Sequence, residues 1–237
     1  MGANILNTGL KKDGISHQEK SYIQGENYTK YLEGKIWGTM MGAFGACYAV
    51  RKGLFAVIPP NFMMEDFYIT MHVLSNNKKA INELEAICEE DVSNKMEEEF
   101  KRKVRISTGN FQNLGVFWKL MWPPFSGLAF SFFSHKLLRW IGPWLLLSAL
   151  ICAGILGEES QFYRTLFGVQ VLLAVSPLID HLLKKQQVHL ALLRYISYFY
   201  AMNLALLIGF FKYMKGVKTS AWRPTERNLA EETSKNK

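Results

Sequence analysis

The order of apolar and polar positions divides this chain near its middle. Residues 140–157, WIGPWLLLSALICAGILG, contain no charge at all, and Leu137 and Leu138 extend the run to the length that crosses a hydrocarbon core. Arg139, Trp140 and Trp144 are the side-chain types found where a helix enters a bilayer, and Pro143 is tolerated in a first turn. A second apolar run, Phe162 to Leu183, ends at Asp180, His181, Lys184 and Lys185, and only the acidic stretch with Glu158 and Glu159 separates the two. These features predict a transmembrane hairpin over 137–183, with the acidic loop outside and the lysines inside. The third run, His189 to Gly216, is long enough to cross but holds Arg194, Asn203 and several tyrosines, with basic residues on both flanks. If both flanks stay inside it cannot cross once, so 184–216 is either an interfacial helix or a third membrane helix.

Ahead of these runs lies FWKLMWPPFSGLAFSFFSHKLLRW, aromatic, broken by Pro123 and Pro124, and basic at its end. It predicts amphipathic helices lying in the headgroup layer over 113–136. The first hundred residues carry most of the acids and predict a cytosolic α/β portion over 1–112. Within it, Phe67, Thr70, Met71 and Leu74 recur at helical spacing after Glu65 and Asp66, and LEAICEED at 84–91 reads as a strand. Asn94 followed by Glu97 forms a capping box for a helix through NKMEEEFKRKVRISTGNFQNL.

Composition sharpens this outline. Net charge is +8 and pI about 9.3, which implies a face for phosphate, anionic lipid or nucleic acid. The basic run has no aromatic interleaving and no nucleic-acid motif, so nucleic acid is excluded as the expected partner. Cys47, Cys88 and Cys152 have no metal-ligand spacing and sit among apolar neighbours, which predicts buried reduced thiols. The opening MGANILNTGLKKDG has no charged region followed by an apolar stretch, so no signal peptide is expected.

Three clusters carry candidate chemistry, and each has a plain structural reading beside it. Glu65 and Asp66 are either first-turn acids placed against the helix dipole or a general base with its neighbour. Arg102 and Arg105, three residues apart, are either a solvated basic face or a bidentate grip for diphosphate. Phe44, Gly45 and Ala46 lie in the small-residue stretch GTMMGAFGACYAV, which permits close approach of a backbone or a ligand.

In order, GACYAVRK, MEDFYIT, RKVRIS, the aromatic and membrane segments, and AWRPTER resemble the C-terminal part of a processive family 2 glycosyltransferase. Hyaluronan, cellulose and poly-N-acetylglucosamine synthases belong to that group. The resemblance runs from about Ile5 to Arg227 and implies part of a GT-A-type catalytic domain followed by interfacial and transmembrane helices. It implies that Asp66 is the base for an inverting transfer and Glu65 its motif partner. Arg102 and Arg105 would bind diphosphate or acceptor, with Ile106 where the family usually has tryptophan. AFGACYA would line the donor and acceptor pocket, and Trp222, Thr225 and Arg227 would form a gating loop in a basic cytosolic tail over 217–237. A C-terminus inside the cell favours the interfacial placement of 189–216. The implied partners are a nucleotide-sugar donor, a glycan or lipid-linked acceptor, and membrane lipid. The implied cofactor is Mg or Mn, whose D-x-D ligands do not occur in this chain. The nucleotide-binding half is therefore expected to lie elsewhere, and a scaffold or binding subunit that retains the fold is the alternative to an enzyme.

Overall fold

The computed structural model describes residues 1–9, 16–91, 95–186 and 190–220. Two strands, β1 (Gly2–Thr8) and β2 (Asn82–Asp91), pair in parallel, with Gly2 opposite Asn82, Thr8 opposite Asp91 and a bulge after Ala3. Parallel pairing requires a crossover, and the chain between them supplies α1 (Ser16–Ile36) and α2 (Glu65–Ser75). After β2 come α3 (Met96–Phe117), α4 (Gly127–Ser131), a π-helical turn (Phe132–Leu137) and α5 (Leu138–Trp140). The remaining helices are α6 (Gly142–Leu156), α7 (Gln161–Lys185) and α8 (Ala191–Met214). The strand and helix expected around 84–91 and after Asp66 are present, within an architecture that is mostly helical.

α1 is polar in composition yet buries one of its faces. Glu19, Glu26 and Glu33 stand seven residues apart, a spacing that drifts only about 20° around a helix and so keeps all three on one face. Each is buried, and each meets a polar partner from elsewhere in the chain. Glu19 accepts from Arg102 (2.6 Å) and Lys103 (3.3 Å) of α3, and from the Tyr198 hydroxyl of α8. Glu26 pairs with Lys136 at 3.2 Å and with Arg139. His135 bridges Glu26 (3.1 Å) and Glu33 (2.7 Å) through its two ring nitrogens. Burial pushes the Glu26 carboxyl up, but Lys136, the His135 hydrogen bond, Lys30 and Arg139 outweigh it and hold it well below the usual range.

The main apolar core lies on the other side of these elements. Phe67, Phe111, Phe132 and Trp140 form an aromatic cluster with Met40, Met41 and Met71. Trp144 of α6 and Phe210 of α8 pack edge-on against Phe111. α8 follows α3 closely: Ser107 donates to the Leu206 carbonyl at 2.9 Å, and a Cβ on Gly209 would strike the Ser107 side chain. Tyr213 stacks on Phe111. The expected division into a cytosolic portion and separate membrane helices therefore does not follow the packing, because one aromatic core takes residues from both.

α7 and α8 are long and apolar enough to cross a membrane. α6 is not, by itself: its 15 residues span roughly 22 Å of a core about 30 Å thick. It reaches that length only together with Gly127–Trp140, across a 63° bend. Trp140, expected at the bilayer surface, is 2% exposed in the aromatic core, and Arg139 is tied to Glu26 and Tyr22. The hairpin itself is present. Gly154 lies against Phe167, and Arg164 donates to the Gly157 carbonyl at 3.2 Å. The expected headgroup segment is two-sided: Ala129 and Phe132 face the core, while Trp122, Phe125, Phe130 and Phe133 are exposed.

One expectation falls outside the description and another is corrected. α3 starts at Met96 with Lys95 as its cap residue, and the expected capping box rests on Asn94, which lies outside the described residues. Cys47 and Cys152 are exposed rather than buried, and Cys88 is half-buried; all three are free. Cys47 lies on the turn beyond Gly45, and the apolar neighbours of Cys152 belong to a helix whose surface is apolar all round.

Removing Glu26 leaves His135, Lys136 and Arg139 facing no carboxylate at that position. Glu26→Ala is expected to cost about 3–5 kcal/mol in chemical denaturation. Lys101→Ala, at an exposed pair with Glu98, is expected to cost no more than about 1 kcal/mol.

Candidate active site

The acids of MEDFYIT occupy the first turn of α2, where the unpaired amides favour negative charge. They differ in environment. Glu65 is exposed, whereas Asp66 is 8% exposed and points inward. One carboxyl oxygen of Asp66, Oδ1, accepts from the Phe67 amide at 2.7 Å. Its carbonyl accepts from Thr70 Oγ1 at 2.8 Å, and that hydroxyl oxygen in turn accepts from the Ala43 amide at 3.0 Å. The turn carrying Phe44 and Gly45 is thereby fastened to the first turn of α2.

Two glycines permit this approach. Gly42 has φ +83° and lies against the Phe67 ring. A Cβ on Gly45 would stand 2.9 Å from Asp66 Oδ2, so no larger residue fits without moving that carboxylate. Gly45 and Ala46 are exposed, which leaves Asp66 a short distance behind the surface. Phe44 is half-buried, and its ring carries the Lys30 ammonium 3.2 Å from the centroid.

Burial pushes the Asp66 carboxyl above its ordinary range. The Phe67 amide pulls it back, Glu65 raises it again, and Lys30 and Arg105 offset part of that. Arg105 lies within electrostatic reach of both acids. The Tyr48 hydroxyl is raised by burial, then by Asp66 and Glu65. Lys30 is lowered to about 7 by burial and by Lys136, against Glu26, Asp66 and Glu33.

The two arginines part company. Arg105 faces Glu65 and Asp66. Arg102 is held by Glu99 at 2.9 Å and Glu19 at 2.6 Å, which keep its guanidinium charged despite burial. Asp66, Glu65, Phe44, Gly45 and Arg105 thus form one site, and Arg102 belongs to the ion pairs of α1. Trp222, Thr225 and Arg227 lie outside the described residues. Among the described residues no group of three or more His, Cys, Asp or Glu side chains could hold a metal ion. A cavity of about 410 Å³ adjoins the site, sharing Ala43, Tyr48 and Thr70 but not Asp66.

Lys30 is the member of this site that sequence reasoning missed. It lies on α1, 3% exposed, and nothing in YTKYLEGK separates it from a surface lysine. The one available signal was the seven-residue recurrence of Glu19, Glu26 and Glu33 around it. No family model, curated protein or solved structure matches the chain.

The raised Asp66 carboxyl has a consequence for stability. A folded-state value above the unfolded one stabilises the fold fully below the ordinary aspartate range, and the contribution is lost as pH rises through the folded-state value. Asp66→Asn is therefore expected to raise the thermal midpoint at pH 7. The two midpoints should converge as pH falls below the ordinary aspartate range. Gly45→Ala should lower the midpoint in wild type, and by less in the Asp66→Asn background, where no charged oxygen meets the new methyl.

Proposed function

We propose that this chain is the C-terminal part of a membrane-bound family 2 glycosyltransferase of GT-A type. It would move a sugar from a nucleotide donor to a glycan or lipid-linked acceptor, with inversion, at the cytosolic face. The observation that carries the reading is Asp66: a buried carboxyl with raised proton affinity, set behind a glycine turn and flanked by Arg105. A carboxyl of that kind suits a general base, because its proton affinity is moved toward the working pH.

In this reading the acceptor hydroxyl enters past Gly45 and Ala46, and Asp66 takes its proton as the oxygen attacks the sugar carbon. The bond to the diphosphate breaks, and Arg105 neutralises the charge that gathers on the leaving oxygens. Glu65 lies within electrostatic reach of Arg105 and favours its charge. Arg102 has a different part: bound to Glu19 and Glu99, it fixes the orientation of α3. In this reading the nucleotide and its metal are held by residues outside this chain. The captive Arg102 also favours the second reading, a membrane-anchored scaffold or binding subunit, since half of the expected diphosphate grip serves the fold.

Isothermal titration of the detergent-purified chain with UDP and Mg²⁺ or Mn²⁺ separates the two. The transferase reading predicts UDP binding through its diphosphate, with or without the metal, that Arg105→Ala weakens by roughly tenfold or more, the loss of about one charge-assisted contact. Absence of binding at UDP concentrations on the order of millimolar supports the scaffold.

A further inference from the structure

Lys30 has no part in the chemistry above, yet it lies beneath the site. Its ammonium is 3.9 Å from Glu26 Oε2 and 3.2 Å from the centre of the Phe44 ring. Phe44 precedes the glycine whose missing Cβ leaves room for Asp66 Oδ2. The groups in electrostatic reach come from three directions. Glu26 and Glu33 lie on α1 itself, Lys136 on the π-helical turn, and Asp66 on α2. His135 occupies the space between Glu26 and Glu33. Asp66 in turn faces Lys30 from α1, Glu65 beside it, and Arg105 from α3, with Tyr48 at the mouth.

A buried lysine is costly unless it is compensated. Its ion pair with Glu26, at 3.9 Å, is long, and Glu26 is already shared with His135, Lys136 and Arg139. The remaining compensation comes from the Phe44 face and the charges of Asp66 and Glu33. We infer that Lys30 is a positioning residue of the Asp66 site: its ammonium, held against the Phe44 ring, seats the Phe44–Gly45 turn over Asp66 and adds a positive charge on the α1 side of that carboxyl. The inference rests on the reading of Asp66 as the base. It adds that one of the positive charges acting on Asp66 comes from α1, the helix that also binds α3 and the π-helical turn. Lys30 touches no reacting atom, so its effect passes through Phe44 and Asp66.

The test reads titrations rather than turnover. The carboxyl carbon of Asp66 is followed by ¹³C NMR in the detergent-solubilised full chain, assigned through Asp66→Asn. Lys30→Met removes the charge at similar length and is expected to raise the Asp66 midpoint by roughly half to one pH unit. Lys30→Arg is expected to restore it. An unchanged Asp66 midpoint in a Lys30→Met chain that keeps its amide spectrum overturns the inference. Should Lys30→Met fail to fold, the coupling is read from the other side. The Lys30 side-chain midpoint in wild type must fall in Asp66→Asn, and an unchanged midpoint overturns the inference equally. Neither titration requires transfer or UDP binding, so failure here and failure of the transferase reading are distinguishable.

Discussion

Everything in this structure depends on how one helix disposes of its charge. α1 turns Glu19, Glu26 and Glu33 inward, and each finds its partners on a segment far away in sequence. Burying one carboxylate unpaired would cost several kcal/mol, so the three positions are compatible only with neighbours that present donors or cations there. Ion pairs of this kind contribute little net stability over an apolar replacement. Their effect is to make misplacement expensive. α3 must bring Arg102 and Lys103 to Glu19, and the π-helical turn must bring His135 and Lys136 to Glu26 and Glu33.

The same requirement joins the membrane helices to the site. Tyr198 of α8 reaches Glu19, and Arg139 at the threshold of α6 reaches Glu26. Behind these contacts the aromatic core locks Trp140, Trp144 and Phe210 against Phe67 and Phe111, one residue and one helix away from Asp66. A displacement of α8 or α5 would be felt at α2 through two routes, one ionic and one apolar.

α2 was legible because its buried face is largely apolar, with Phe67, Ile69, Met71, Val73 and Leu74. β2 and α3 were legible although they bury polar side chains such as Asn82, Asp91, Ser107 and Asn113, and the close approach at Gly45 was foreseeable from its small-residue setting. α1 was not legible, because the side chains it buries are glutamates and a lysine, which a hydropathy pattern assigns to solvent. Trp140 was misplaced because an aromatic beside an apolar run looks the same whether it meets headgroups or a core. The arginines three residues apart differ by about 60° around the helix. That angle is enough to send Arg102 to Glu19 and leave Arg105 facing Asp66.

The central claim is that α1 couples the site and the membrane helices into one cooperative unit. Hydrogen–deuterium exchange on wild type and Glu26→Gln, read by peptide in the same detergent, tests it most directly. Coupling predicts a parallel loss of protection in α1, in the stretch from the π-helical turn into α6, and in the first turns of α2. Loss confined to α1, with α2 and α6 protected as in wild type, would contradict it.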